Sequence, residues 1–345
     1  MNRTIINIIS GKGGTGKTLL ASVLADMLGN TGDTKVLIVD LDFFVRGLTS
    51  LLYFHREEKL HIVPKDELTV SSFFIKKLIY PNPNLGKIAI AKYRSFDVMP
   101  AVTRIDERLN YQDLGPDNVK EAEAILQNLL NSIPQEYRFV ILDSRAGYDE
   151  LISATHRISD VSICVEEQDA ISRVTADNLV SQLSNDTETP IFRLVNKARG
   201  VTTDESLINN SRSVADLGVI PFDMDILRSF GTKEFWDRVS TSLYRWALAR
   251  AWNVLNSKLQ LGVELTLPRL SPVANEKIEA RIGMLALRER ILFLYGIVLA
   301  VGGVTYGLFG RDILAAFRDD PTRFASLGAG LFGLIIALFA FLRKP

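Results

Sequence analysis

Over the first 250 residues, short continuous apolar runs alternate with longer stretches in which apolar residues recur every three or four positions. The runs at 5–9 (Ile5, Ile6, Ile8, Ile9), 35–40, 139–143, 161–165 and 191–195 have the length and composition of strands buried on both faces of a parallel sheet. Helical spacing is present at 19–28 and at 117–130, where Val119, Ala122, Ile125, Leu126 and Leu129 form one face behind the start signals Gly115, Pro116 and Asp117. It returns at 172–183 and over 232–259, where Phe235, Val239, Leu243, Trp246 and Ala247 mark a closing core helix with Lys233, Arg238 and Arg245 in solvent. Strands and helices in this alternation predict an α/β fold with a doubly wound, mostly parallel sheet. Between 53 and 94 the pattern is mixed: charges, Pro81, Pro83 and Gly86 break it, and only 72–79 has helical spacing.

The end of the chain has a different pattern. Residues 291–309 are apolar and carry no charge, and 325–342 form a second such stretch. At 1.5 Å per residue each reaches about 27–28 Å, the hydrocarbon thickness of a bilayer, which predicts a C-terminal two-helix transmembrane hairpin. Arg288 and Arg290 precede the first stretch and Arg343 and Lys344 follow the second, which places both ends on the cytoplasmic side of the cell (inner) membrane. Gly303 and Gly307 make a G-x-x-x-G, and Ala325, Ala329, Gly333 and Ala337 make a small-residue stripe, both suited to close helix contact. The expected organisation is a nucleotide domain at 1–260, a linker and juxtamembrane helix at 261–290, spans at 291–309 and 325–342, and a connecting loop at 310–324. Pro268 and Pro272 mark the linker, and Ile278, Ile282 and Leu285, with Lys277, Arg281 and Arg288, suit a helix lying on lipid headgroups.

Composition narrows the function. The 40 Lys and Arg cancel the 40 Asp and Glu, so no global field draws the chain to nucleic acid. Cys164 is the only cysteine, which excludes an intramolecular disulfide framework, and its apolar neighbours make it a buried strand thiol. No secretory signal precedes the first strand, so the N-terminal domain is expected on the side of the membrane where ATP is.

The candidate chemistry begins right after the first strand. Gly11-Lys12-Gly13-Gly14-Thr15-Gly16-Lys17-Thr18 completes G-x-x-x-x-G-K-[ST] between a strand and a helix. In such a P-loop, backbone N–H groups and the helix dipole face a triphosphate, Lys17 reaches its β and γ oxygens, and Thr18 ligates Mg²⁺. Asp40 and Asp42 follow the second strand at the edge where ligands of parallel sheets bind. Asp40 is placed to hold a water of the Mg²⁺ shell. Asp143 ends its strand in the Walker B arrangement and polarises a second metal-bound water.

Lys12 gives a sharper indication. The sequence K-G-G-T-G-K-T resembles the deviant Walker A box of the MinD/ParA family of P-loop ATPases, over approximately residues 3–250. The resemblance implies a homodimer in the ATP state, with Lys12 reaching the phosphates of the opposite subunit and Asp169 near the dimer face, paired with Lys12 of the opposite subunit. It implies that Asp42 is the switch I aspartate that activates the attacking water, that 144–147 is switch II, and that the Gly147 N–H faces the γ-phosphate. The family has proline where Arg145 stands, which puts the switch II conformation and the hydrolysis rate in question. Asn196 resembles the base-recognition asparagine, and Pro221, in the last strand at 219–223, borders the adenine. Arg199 stands where guanine readers have an aspartate and accepts no hydrogen bond, which favours ATP.

The expected function is a membrane-anchored ATPase switch with Mg²⁺, slow until a protein partner completes the site. A permanent hairpin means that ATP switches something other than membrane residence. Two alternatives remain open: a bacterial-type tyrosine kinase, whose spans usually come before the catalytic domain, and an effector whose hairpin perturbs the membrane when the domains pair.

Overall fold

The structure, a computed structural model, describes residues 3–32, 34–80, 86–198, 215–268 and 295–296. The chain divides into two compact units, 1–271 and 272–345. In the second only Tyr295 and Gly296 are described, both helical. The expected spans at 291–309 and 325–342, the loop between them, the juxtamembrane helix and Arg199 otherwise lie outside the described residues. Among the described residues no helix is long and apolar enough to cross a membrane.

Eight strands form one sheet in the first unit: β1 (Thr4–Ser10), β2 (Lys35–Asp40), β3 (Ala91–Tyr93), β4 (Phe96–Met99), β5 (Tyr137–Ala146), β6 (Val161–Glu167), β7 (Ile191–Ala198) and β8 (Ala215–Pro221). Their order is β3-β4-β2-β5-β1-β6-β7-β8, and only β3 runs antiparallel to its neighbour. The order reverses on either side of β1, which puts the end of β1 at the crevice where open α/β sheets bind ligands.

Helices cover both faces because successive side chains of each strand point to opposite sides and both sides are apolar. On one face, Ile6, Ile8, Ile38 and Ile141 pack with Leu20 and Leu24 of α1 (Lys17–Gly29) and Trp252 of α10 (Leu243–Leu259). On the other, Leu37, Val39, Val140 and Leu142 pack under α5 (Val119–Ser132) and α6 (Glu150–Arg157), and Ile9 and Cys164 pack under α7 (Ala170–Asp186). Each fully buried aliphatic side chain of this kind contributes about 1.5–3 kcal/mol relative to exposure.

Several expectations are corrected. The mixed region holds the end of α2 (Gly47–His55), a short α3 (Val70–Ile75) and the edge strand β3. The helix expected from Asp117 is capped by Asn118, whose side chain accepts the Glu121 N–H at 3.0 Å. After α4 (Tyr111–Leu114) and α8 (Met224–Ser229), the pattern at 232–259 is two helices, α9 (Phe235–Ser240) and α10. Ser242 breaks it by capping α10 through the Arg245 N–H at 3.1 Å. Arg245 is not solvated; it pairs at 2.7 Å with Asp26, a buried residue of α1. The first part of the expected linker belongs to the domain: Asn253 exchanges two 2.8 Å hydrogen bonds with the Leu265 backbone, and Trp252 Nε1 donates to Val263 O at 2.8 Å.

Cys164 is the buried strand thiol the sequence predicts, and burial pushes it up to about 12. Iodoacetamide at about pH 8 is expected to leave the native protein unlabelled and to label it after denaturation, as followed by intact mass, because the thiolate is the reactive form. Stoichiometric labelling of the native fold would contradict this burial.

Candidate functional site

The loop 11–18 leaves the end of β1 and turns into α1. Three glycines are required by geometry, Gly14 by its φ of +80°. A Cβ at Gly11 would sit 2.3 Å from the Thr175 backbone, and Gly16 has φ +92° with Asn196 Nδ2 at 2.6 Å from the place of a Cβ. Around Gly13 and Gly14 no atom lies within 4 Å of such a Cβ, so this stretch of backbone is open to an approaching phosphate. The loop is braced from behind by the ends of β6 and β7. Asn196 Nδ2 donates to Thr15 O at 2.8 Å, and Lys197 Nζ bonds Gly14 O and, at 2.9 Å, Glu167 Oε1.

Lys17 is nearly buried, and its Nζ donates to Ser10 Oγ at 2.9 Å. Burial lowers its pKa, while the charges of Asp143 and Asp42 act the other way. Thr18 Oγ1 donates to Asp143 Oδ2 at 2.7 Å. The other oxygen, Asp143 Oδ1, is buried and has no partner among the described residues. Asp40 is Asp143's neighbour across β2 and β5 and is fully buried. Burial first, then the charge of Asp143, pushes Asp40 up to about 7; burial pushes Asp143 up to about 6. An ionised Asp143 beside it makes the buried Asp40 hold a proton more readily than an ordinary carboxyl. Asp40 Oδ2 is committed to the Thr49 N–H at 2.9 Å and hydroxyl at 2.7 Å, so Asp40 anchors α2 as well as facing the site. Asp42 opens the next loop, its Oδ1 accepting the Val45 N–H at 3.0 Å.

Lys12 sits at the rim, not in the cradle of its own chain. Its Nζ lies 2.8 Å from Asp169 Oδ2 and 3.1 Å from Glu167 Oε2. The Lys12–Asp169 pair expected between two subunits is instead made here within one chain, because the turn into α7 carries Asp169 to the edge of the loop. Hydrogen bonds that Lys12 donates to Asp169 and then to Glu167 raise its pKa, so this lysine stays charged. Val45, Ile171 and Val174 are exposed apolar residues next to Asp42 and Asp169, at 75%, 72% and 57% exposure.

Two further residues of the expected site make these contacts. The Gly147 N–H donates to Ser10 O at 2.9 Å, toward β1. Asn196 is buried with both ends of its amide used, the Oδ1 by the Lys197 N–H at 2.9 Å, so it acts as a brace for the loop. Pro221 lies at the end of β8 opposite Ala198, at the same edge of the sheet as Asn196.

The sequence profile of the AAA-domain family matches residues 3–193. MinD, the septum site-determining protein of Synechocystis, is 24% identical over 237 residues, 66% of this chain and 79% of that protein. An uncharacterized ATP-binding protein of Methanocaldococcus jannaschii is 28% identical over 64% of this chain and 86% of its own length. The chain belongs to the MinD/ParA family of P-loop ATPases. MinD of Pyrococcus horikoshii, complexed with Mg-ADP, shares the fold at TM-score 0.56 and 18% identity, over 76% of this chain and all of that one. A plasmid partition protein of Borrelia burgdorferi bound to AMPPNP does so at TM-score 0.54 and 17% identity, over 74% and 100%. The Aquifex aeolicus MinC:MinD cell division complex matches at TM-score 0.51 and 18% identity, over 78% and 100%.

For a MinD/ParA ATPase, the residues fit Mg²⁺ and a triphosphate. An orphaned oxygen of Asp143 beside the Thr18 hydroxyl is a hard-oxygen donor set for a small divalent cation. Among the described residues no cluster of three or more His, Cys, Asp or Glu is placed to hold a metal. Ser10, Glu167 and Lys197 escaped the sequence reading. Ser10 precedes the motif, Lys197 was visible only as the companion of Asn196, and Glu167 meets the loop only through folding.

Proposed function

We propose that this ATPase is a membrane-anchored switch: Mg·ATP closes two nucleotide domains on each other, the closed pair grips a partner protein, and hydrolysis releases it. The carrying observation is the position of Lys12, charged and held at the loop rim by Asp169 at 2.8 Å and Glu167 at 3.1 Å. Such a side chain is available to the triphosphate of a second copy. Closure requires Lys12 to leave Glu167 and Asp169, so the phosphate of the twin competes with those carboxylates. MinD in the Aquifex aeolicus complex with MinC offers a precedent for a partner protein.

The chemistry of this chain's residues follows from their placement. The open backbone at Gly13 and Gly14 and the Lys17 ammonium bind the phosphates. Thr18 and Asp143, with Asp40 behind, would hold Mg²⁺, which neutralises charge on the β and γ oxygens. Asp42 orients the attacking water and takes its proton. The braces Asn196 and Lys197 keep the loop in its binding shape.

The anchor is the charge-free pair 291–309 and 325–342. Full-length protein is expected to stay in the membrane pellet after alkaline carbonate, and a chain ending at residue 268 to move to the supernatant. Release of the full-length chain by carbonate would contradict the hairpin.

A further inference from the structure

Where β5 leaves the sheet, Asp143 is opposite Ile8 but Ala146 is opposite Ser10, so Ser144 and Arg145 share the space facing Ile9. Such a bulge re-aims side chains. Ser144 Oγ donates to Asn7 Oδ1 at 2.7 Å, and Asn7 Nδ2 donates to Thr155 Oγ1 of α6 at 3.2 Å. Arg145 forms an ion pair with Asp149, and Asp149 Oδ1 accepts the Ile152 N–H at 2.8 Å, capping α6. The segment 145–149 is therefore a small ring closed by a guanidinium and a carboxylate. Both are largely buried, at 22% and 17% side-chain exposure. At its apex Gly147, with φ +92°, turns its N–H onto Ser10 O at 2.9 Å. Ser10 is also the residue that holds Lys17, through its hydroxyl.

We propose that the Arg145–Asp149 pair is a clamp that holds switch II in this resting posture, and that opening the clamp limits ATP hydrolysis. The proposal rests on the ATPase reading above. A phosphate that draws Lys17 away leaves the Ser10 hydroxyl on Lys12 O at 2.8 Å, and the Ser10 carbonyl still takes the Gly147 N–H. That donor stays withheld from the reacting phosphate while the ring is closed. Negative charge arriving at the loop attracts the guanidinium and repels Asp149, so opening is coupled to ligand and to any partner that competes for either group. Arg145 is then a positioning residue, acting through Gly147.

The helix cap allows a clean test, because asparagine caps a helix as well as aspartate does. Asp149→Asn removes the charge of the pair and keeps α6. In detergent-solubilised full-length protein with Mg·ATP, kcat is expected to rise about fivefold with KM unchanged, the size expected for losing one ion pair. Arg145→Gln raises kcat similarly, and Arg145→Lys, which keeps the charge, returns it toward wild type. An unchanged or lower kcat in Asp149→Asn, with ATP still bound, overturns the clamp alone. Failure of the wild type to bind a fluorescent ATP analogue overturns the ATPase reading and the clamp with it.

Discussion

Lys17→Ala is expected to weaken ATP binding by about 10²-fold, the loss of one or two charge-assisted hydrogen bonds to phosphate at ~1.5–3 kcal/mol each. The size follows from the setting of the side chain. Lys17 is nearly buried and donates to a hydroxyl, Ser10 Oγ at 2.9 Å, and its burial already disfavours the charged form. A triphosphate gives this ammonium the anionic partner that its burial makes valuable. Removing it relieves the ligand-free protein of a desolvated charge, so the fold is expected to hold while binding is lost. Titration with a fluorescent ATP analogue and a thermal melt of the same sample check both halves. A Kd within threefold of wild type would show that the loop is not the phosphate site.

Asp42→Ala has the opposite profile: ATP binds, but turnover falls by about 10²- to 10⁴-fold, the usual contribution of a positioned base. Asp42 is outside the group that touches the loop. It opens the turn after β2, with Oδ1 taking the Val45 N–H at 3.0 Å, whereas Lys17, Thr18 and Asp143 form the cradle. Binding and hydrolysis are therefore separable, and a protein that binds without hydrolysing accumulates in the closed, paired state. Phosphate release measured beside the binding titration checks it. Equal loss of binding and turnover would place Asp42 in the cradle instead.

Much of this site was legible because its parts are local. The P-loop is eight consecutive residues, and β1, β2, β5, β6 and β7 read as apolar runs because parallel strands are covered on both faces. What the sequence hid depends on distant contacts or edges. Strand β3 is three residues long and pairs on one side only, too short for a periodic signal. Arg245 lies 219 residues from Asp26, so its spacing alone reads as a solvated charge. Asp169 was visible as an acid near the site, but that Lys12 rests on it within the same chain needed the turn into α7. Arg145 was legible as a departure from the family pattern, while its partner Asp149 was hidden in its second role as a helix cap.

That pairing lysine links the site to function. In the proposed switch, closure exchanges the Lys12 contacts with Glu167 and Asp169 for the phosphates of a twin, so nucleotide would control the number of chains in the particle. The most direct measurement is light scattering of detergent-solubilised, full-length Asp42→Ala, with the detergent mass subtracted, without nucleotide and with saturating Mg·ATP. The proposed switch predicts a doubling of protein mass on adding Mg·ATP, and a return to the single-chain mass when Lys12→Ala is combined with Asp42→Ala. A mass that stays at one chain with ATP bound, or a pair that forms equally well without Lys12, would contradict it.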